Sequence, residues 1–307
     1  MKNKKAVEFS FNMLFAVIVG AVILFLAIYF AVKITSTSRY RQNIELTKEL
    51  SVLTNPLDTG FAEAKKQIID LRLETRVYND CFSDGFGKNI ISATSKSGIG
   101  KKWVKPERGI ELANKYIFSE KMEQGTKLYA FSKKFEMPFY IADLIIANSK
   151  DYCFINPPYN IENEILDLGI ENIKIENCTK NDIKVCFDKS CEISVYYYDN
   201  SNEAGYVDKN DERVFFVGNL VYAAILSDPE IYECNVKRLM NRIVQLTLIY
   251  KDKLSLLKDK CPSGIEAELV NLNSAAREFN NSADLVLVYN FAKQLENKNN
   301  DAICRIF

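Results

Sequence analysis

The chain has 307 residues, with 40 Lys and Arg balanced by 40 Asp and Glu, so nothing in its charge predicts a nucleic-acid surface. It contains no histidine. That removes histidine-based serine or cysteine triads, histidine-ligated zinc and a histidine general base from the chemistries open to it.

From Phe9 to Val32 no side chain carries a charge. A helix of that length, rising about 1.5 Å per residue, exceeds the roughly 30 Å hydrocarbon core of a bilayer. A cleaved secretory signal is the rival reading, but its apolar core usually spans about 7–15 residues and ends at a small-x-small site. Here Lys33 and a polar, basic stretch follow instead, which predicts an uncleaved anchor. Lys2, Lys4 and Lys5 on one side and Lys33, Arg39 and Arg41 on the other leave the positive-inside rule near a tie.

The cysteines break the tie. All eight lie beyond the apolar segment, at Cys81, Cys153, Cys178, Cys186, Cys191, Cys234, Cys261 and Cys304. An even number of cysteines in a domain beyond an anchor predicts disulfides and an oxidising, extracytoplasmic side. Cys186 and Cys191 would close a short loop between two β-like runs. Zinc is the competing account, with Cys153, Cys178, Cys186 and Cys191 as ligands, but their spacing misses the tight C-x₂₋₄-C pairs of structural sites. Two N-glycosylation triplets begin at Asn177 and Asn280.

The expected organisation is a short cytoplasmic N-terminus over 1–8, a transmembrane helix over 9–34 and a helical stalk over 35–56. A β-rich part over 57–212 and a helical part over 213–307 complete an α+β architecture. Alternation over Ile69–Tyr78 predicts a half-buried strand, and Ile90–Ala93 a short one within a loop-rich span. Lys127–Ser132, Pro138–Asn148 and Asp151–Ile155 read as strands, although Ile141–Ala147 also suits a buried helical turn. A short helix is expected over Ile161–Leu168. An antiparallel meander should follow from Ile173–Ile175, Ile183–Val185 and Cys191–Tyr198. Ser227-Asp228-Pro229-Glu230 combines a cap, a first-turn proline and an acid near the positive helix end, so a long helix should start there. Two more are expected over Ile265–Phe279 and Ser282–Leu295.

No catalytic, cofactor-binding or metal site emerges. Ser97-Gly98-Ile99-Gly100-Lys101-Lys102 fails the P-loop pattern at Ser95 and Lys102. Asp80 and Asp84, or Glu162 and Glu164, are acids that carry no geometry in the sequence. Asp208, Asn210 and Asp211 lack the glycine and twelfth-position glutamate of a calcium loop. Tyr196-Tyr197-Tyr198 and Phe135–Tyr140 would serve either as a binding face or as sheet packing.

Lys4-Lys5-Ala6, followed by Val7-Glu8-Phe9-Ser10-Phe11 and the apolar helix, resembles the N-terminus of archaeal type IV pilin-like proteins with class III signals. That resemblance implies cleavage before the helix and assembly through it. A cut after Ala6 would place Glu8 second, where the family's glutamate is usually fifth. Phe131–Phe139 is similar to single-anchor archaeal envelope proteins. The expected protein is therefore a single-pass membrane protein with its large domain outside, in a structural or binding role. Its partners would be the bilayer and other envelope proteins or copies of itself through the N-terminal helix, with no nucleic acid and no cofactor. The alternative is a membrane-tethered hydrolase acting on envelope glycans or peptides through carboxylates or a Ser/Lys pair.

Overall fold

A computed structural model describes residues 13–31, 33, 66–96, 103, 106, 109–199, 202–257, 264–302 and 304–307. The pilin-like signal, the stalk, the Ser97–Lys102 loop and Cys261 lie outside the described residues. The N-terminal helix α1, Met13–Ala31, is long and apolar enough to cross a membrane, with a mean hydropathy of 2.9.

The strands build two six-stranded sheets. The first comprises β1 (Lys66–Phe82), β2 (Lys88–Ser95), β3 (Ile110–Leu112), β4 (Tyr116–Phe118), β5 (Met122–Glu136) and β6 (Tyr140–Asn148), in the order β3-β2-β1-β5-β6-β4. All pairings are antiparallel except β4 with β6. Period-2 alternation gives this sheet two apolar faces. Tyr129, Phe131 and Phe135 of β5 enter the main core, whereas Leu128 and Ala130 join Ile69, Val77, Ile91 and Ile145 in a second, smaller one. That second core exists because the sheet curls until β4 touches β2. The span Ile141–Ala147 is strand, so the helical-turn option is excluded.

The second sheet contains β7 (Tyr152–Ile155), β8 (Ile173–Lys174), β9 (Ile183–Phe187), β10 (Ile193–Tyr197), β11 (Ala204–Lys209) and β12 (Glu212–Val217), in the order β12-β11-β10-β9-β7-β8. Here the expected meander is corrected. β7 separates β8 from β9, and β9 runs parallel to β10. Parallel neighbours usually need a crossover of a dozen or more residues, so a five-residue gap reads as a hairpin. The chain instead doubles back at Asp188, whose φ is 58°, and Ile193 pairs with Val185. The Cys186–Cys191 disulfide closes this reversal. The true meander is β10-β11-β12, and it carries strand structure past residue 212 to Val217.

Helix α2 (Tyr159–Leu168) connects β7 to β8 and ends at Gly169 in the left-handed conformation, the usual helix stop. The short α3 (Leu220–Leu226) is wholly buried and touches β6 of one sheet and β11 and β12 of the other. A fully apolar seven-residue helix carries no helical period, which is why the sequence did not show it. The long α4 (Pro229–Leu257) begins where the start signal predicts, with the Glu230 amide donating to Asp228 Oδ1 at 2.9 Å. After it, α5 (Glu266–Arg277) and α6 (Leu285–Asp301) pack in series, α6 being entered through a single 3-10 turn at Ser282–Asp284. The architecture is α+β.

Candidate functional site

The outward face of the second sheet brings four aromatic side chains together, three half-buried and one exposed. In register, Tyr196 of β10 pairs with Tyr206 of β11, which pairs with Phe215 of β12. Strand alternation therefore puts three rings on one rung. Tyr196 stacks on Tyr206 with centroids 5.0 Å apart and planes 29° from parallel, while Tyr206 lies 6.1 Å from Phe215. Tyr198, 52% exposed, reaches diagonally to Tyr206 at 6.1 Å.

The next rung is polar: Ser194, Asp208 and Arg213. Arg213 donates through Nε and Nη2 to the two Asp208 oxygens at 2.7 and 2.8 Å, and its guanidinium lies 4.0 Å from the Tyr206 centroid. This two-point hydrogen bond holds the Asp208 carboxyl below the usual range and raises Arg213. A groove of 610 Å³ runs along this rung. One wall is the disulfide loop Ser190–Glu192, and the other is the β11–β12 turn. In that turn Asn210 and Asp211 adopt φ of 53° and 62°, so the sequence that faintly resembles a calcium loop is a hairpin turn.

Tyr197 faces the opposite way, packing on Phe187 and Phe216. Of the three consecutive tyrosines, then, two serve the surface and one the core. Gly205 lies between Tyr197 and Phe216 in register, and a Cβ there would collide with the Tyr196 carbonyl and the Phe216 ring. Of the second aromatic candidate, Phe135, Met137 and Phe139 are buried in the core, whereas Tyr140 is 48% exposed.

Two buried polar clusters were invisible in the sequence because their members are far apart along the chain. In the first, Lys209 is 4% exposed and donates to Glu120 at 3.3 Å and to the Ile225 carbonyl at 3.2 Å. Burial pulls this lysine's pKa down, opposed by Glu120. Nearby, Glu123 accepts from the amides of Glu120 and Ser149 and from the Ser149 hydroxyl. Burial pushes its carboxyl up. It borders an apolar cavity of only 40 Å³ inside the curled sheet. Both Glu123 oxygens are engaged by donors of neighbouring turns, an arrangement that ties segments together.

The second cluster surrounds Arg238 of α4, which is completely buried. It donates to Asn89 Oδ1 at 2.5 Å, Asn235 Oδ1 at 2.7 Å and the Ala113 carbonyl at 2.9 Å. Asn79, Asn89 and Asn235 in turn all donate to the Ile117 carbonyl of β4. The guanidinium stands 4.7 Å from the Tyr116 ring. Desolvation brings its pKa down to about 10, so it stays charged across the physiological range. This network seals the curled sheet where β4 meets β1, β2 and α4.

The acids that a hydrolase would use do not converge. Asp80 and Asp84 are exposed on β1 and the turn after it. On α2, Glu164 binds Lys133 and accepts from the Tyr222 hydroxyl at 2.7 Å. No cluster of three or more His, Cys, Asp or Glu side chains suited to a metal occurs among the described residues.

Cysteine sulfurs pair as Cys81–Cys234, Cys153–Cys178 and Cys186–Cys191, and Cys304 is disulfide-bonded as well. The four proposed zinc ligands are thus two disulfides. Cys81–Cys234 fastens β1 to α4 beside the Arg238 network, across 153 positions of sequence. An N-terminal apolar helix joined to a disulfide-bonded domain is the pattern of a membrane-anchored or secreted extracytoplasmic protein. No protein-family model, curated protein or solved structure matches this chain.

Proposed function

We propose that the chain is a single-pass membrane protein with its N-terminus in the cytoplasm and the disulfide-bonded domain outside, serving the cell envelope as a binding or structural component. The observation that carries the reading is the set of disulfides in a domain that follows an apolar, membrane-length helix. Thiols in a cytoplasmic domain would be kept reduced. Assembly through the N-terminal helix, in the manner of pilin-like proteins, belongs to the same reading. The binding role is supported by the groove and aromatic rung, which are surface features, whereas the charged groups with perturbed pKa values in the interior already have their partners within the fold.

The test is thiol state in native membranes. Free thiols are blocked, disulfides reduced, and the newly exposed cysteines labelled and mapped by mass. Cys81, Cys153, Cys178, Cys186, Cys191 and Cys234 should appear only after reduction, and the chain should stay with the membrane after alkaline carbonate washing. Free thiols at these six positions would overturn the external location, and release by carbonate would overturn the anchor.

A further inference from the structure

The geometry points to the groove over β10, β11 and β12 as a binding site for a neutral glycan, an inference that rests on the external binding role proposed above. A pyranose has two unlike surfaces, an apolar face of C–H groups and an edge of hydroxyls. The groove offers both counterparts in adjacent rungs: the Tyr196 ring, with Tyr206 and Tyr198 packed beside it outside the lining, and then the planar Asp208–Arg213 pair. Outward positions of a half-solvated sheet are normally polar, so an aromatic ring in the groove lining, that of Tyr196, is a departure from the pattern.

Several features select the ligand class. At 610 Å³ this open groove lies within the volume range of small-molecule sites, whereas protein interfaces favour an apolar centre inside a polar rim. Here the ion pair interrupts the apolar surface. Glu192, Asp208, Asp211 and Glu212 line the groove against Arg213, and Lys209 turns inward to Glu120, so the site repels polyanions. A cation is the weaker candidate because Arg213 already lies over the face of Tyr206. The walls are stiffened by the Cys186–Cys191 bridge and the tight β11–β12 turn, which lowers the ordering cost of binding.

The test uses the full chain in detergent micelles, titrated calorimetrically with neutral oligosaccharides of glucose, mannose and N-acetylglucosamine two to six sugars long. At least one series should bind saturably. Tyr196→Ala and Arg213→Gln should each weaken that binding at least about tenfold while leaving the far-UV circular dichroism unchanged. No saturable binding up to about 10 mM of any series overturns the inference, as does binding that both variants retain. Preference for a sulfated oligosaccharide or for tetramethylammonium over every neutral sugar would overturn it too. Binding is read on purified protein and location on native membranes, so either proposal can fail while the other stands.

Discussion

Removing the Cys81–Cys234 bridge should cost far more stability than removing Cys186–Cys191, and the sequence separations fix the difference. A crosslink lowers the entropy of the unfolded chain in proportion to the logarithm of the loop that it closes. For partners 153 positions apart, the loop-entropy relation gives ~5 kcal/mol at 25 °C. For partners five positions apart, it gives ~2 kcal/mol. A domain of this size shifts its melting temperature by about 2–4 °C per kcal/mol, so the two double variants should melt about 6–12 °C apart. Alanine is the right replacement, because Cys186 is only 6% exposed and a serine hydroxyl would need a partner there. The assay is thermal unfolding of C81A/C234A and C186A/C191A without reductant, followed by circular dichroism. Equal losses, or a larger loss for the short loop, would refute loop entropy as the dominant contribution.

Two further outcomes follow from the interior. Arg238→Met keeps much of the apolar stem but strands the buried Asn235 oxygen, at ~1–3 kcal/mol for a buried group left unpaired. A loss of ~1–3 kcal/mol in urea unfolding is expected, and a variant as stable as the parent would remove the network's structural role. Acid titration should separate two sets of carboxyls. Glu123 and Glu233 are pushed up by burial, so the native state binds protons before the unfolded chain does, and they add stability as pH falls toward their ordinary 4.5. Asp182, held down chiefly by the Thr179 amide, and Asp208, held down by Arg213, lose their contributions below 3.8. Stability should therefore hold or rise from neutral pH to about 4.5 and then fall. Glu123→Gln, which cannot titrate, should flatten the rise, and an unchanged profile would show that Glu123 does not drive it.

What the sequence disclosed was local. The alternation in Ile69–Tyr78 marked β1, and Ser227-Asp228-Pro229-Glu230 marked the start of α4, because each pattern reports on neighbours within one element. Pairing between elements was not legible. Nothing in the five residues between β9 and β10 announced a parallel reversal, since it depends on the left-handed Asp188 and on the bridge between Cys186 and Cys191. The same limit hid Arg238, whose acceptors come from residues 113, 89 and 235. The tyrosine run was readable in kind but not in role. Only strand alternation together with the β10–β11 register shows that Tyr196 and Tyr198 turn outward while Tyr197 enters the core.

The two kinds of polar cluster differ in a way that bears on function. Inside, Glu123, Lys209 and Arg238 are each saturated by groups from separate strands and helices, so every donor or acceptor used there fixes one part of the fold against another. Perturbed pKa values often mark active sites, but structural networks perturb them too, and the partners decide between the two. Glu123 faces an apolar void of 40 Å³, too small for a substrate, and its oxygens are engaged by turn donors. At the surface the order reverses. Asp208 and Arg213 are partly exposed, they line the larger groove, and their pairing leaves a planar hydrogen-bonding edge beside ring faces. The buried charges thus serve to fasten the fold, and the Asp208–Arg213 pair and the Tyr196 ring are what it presents along the groove.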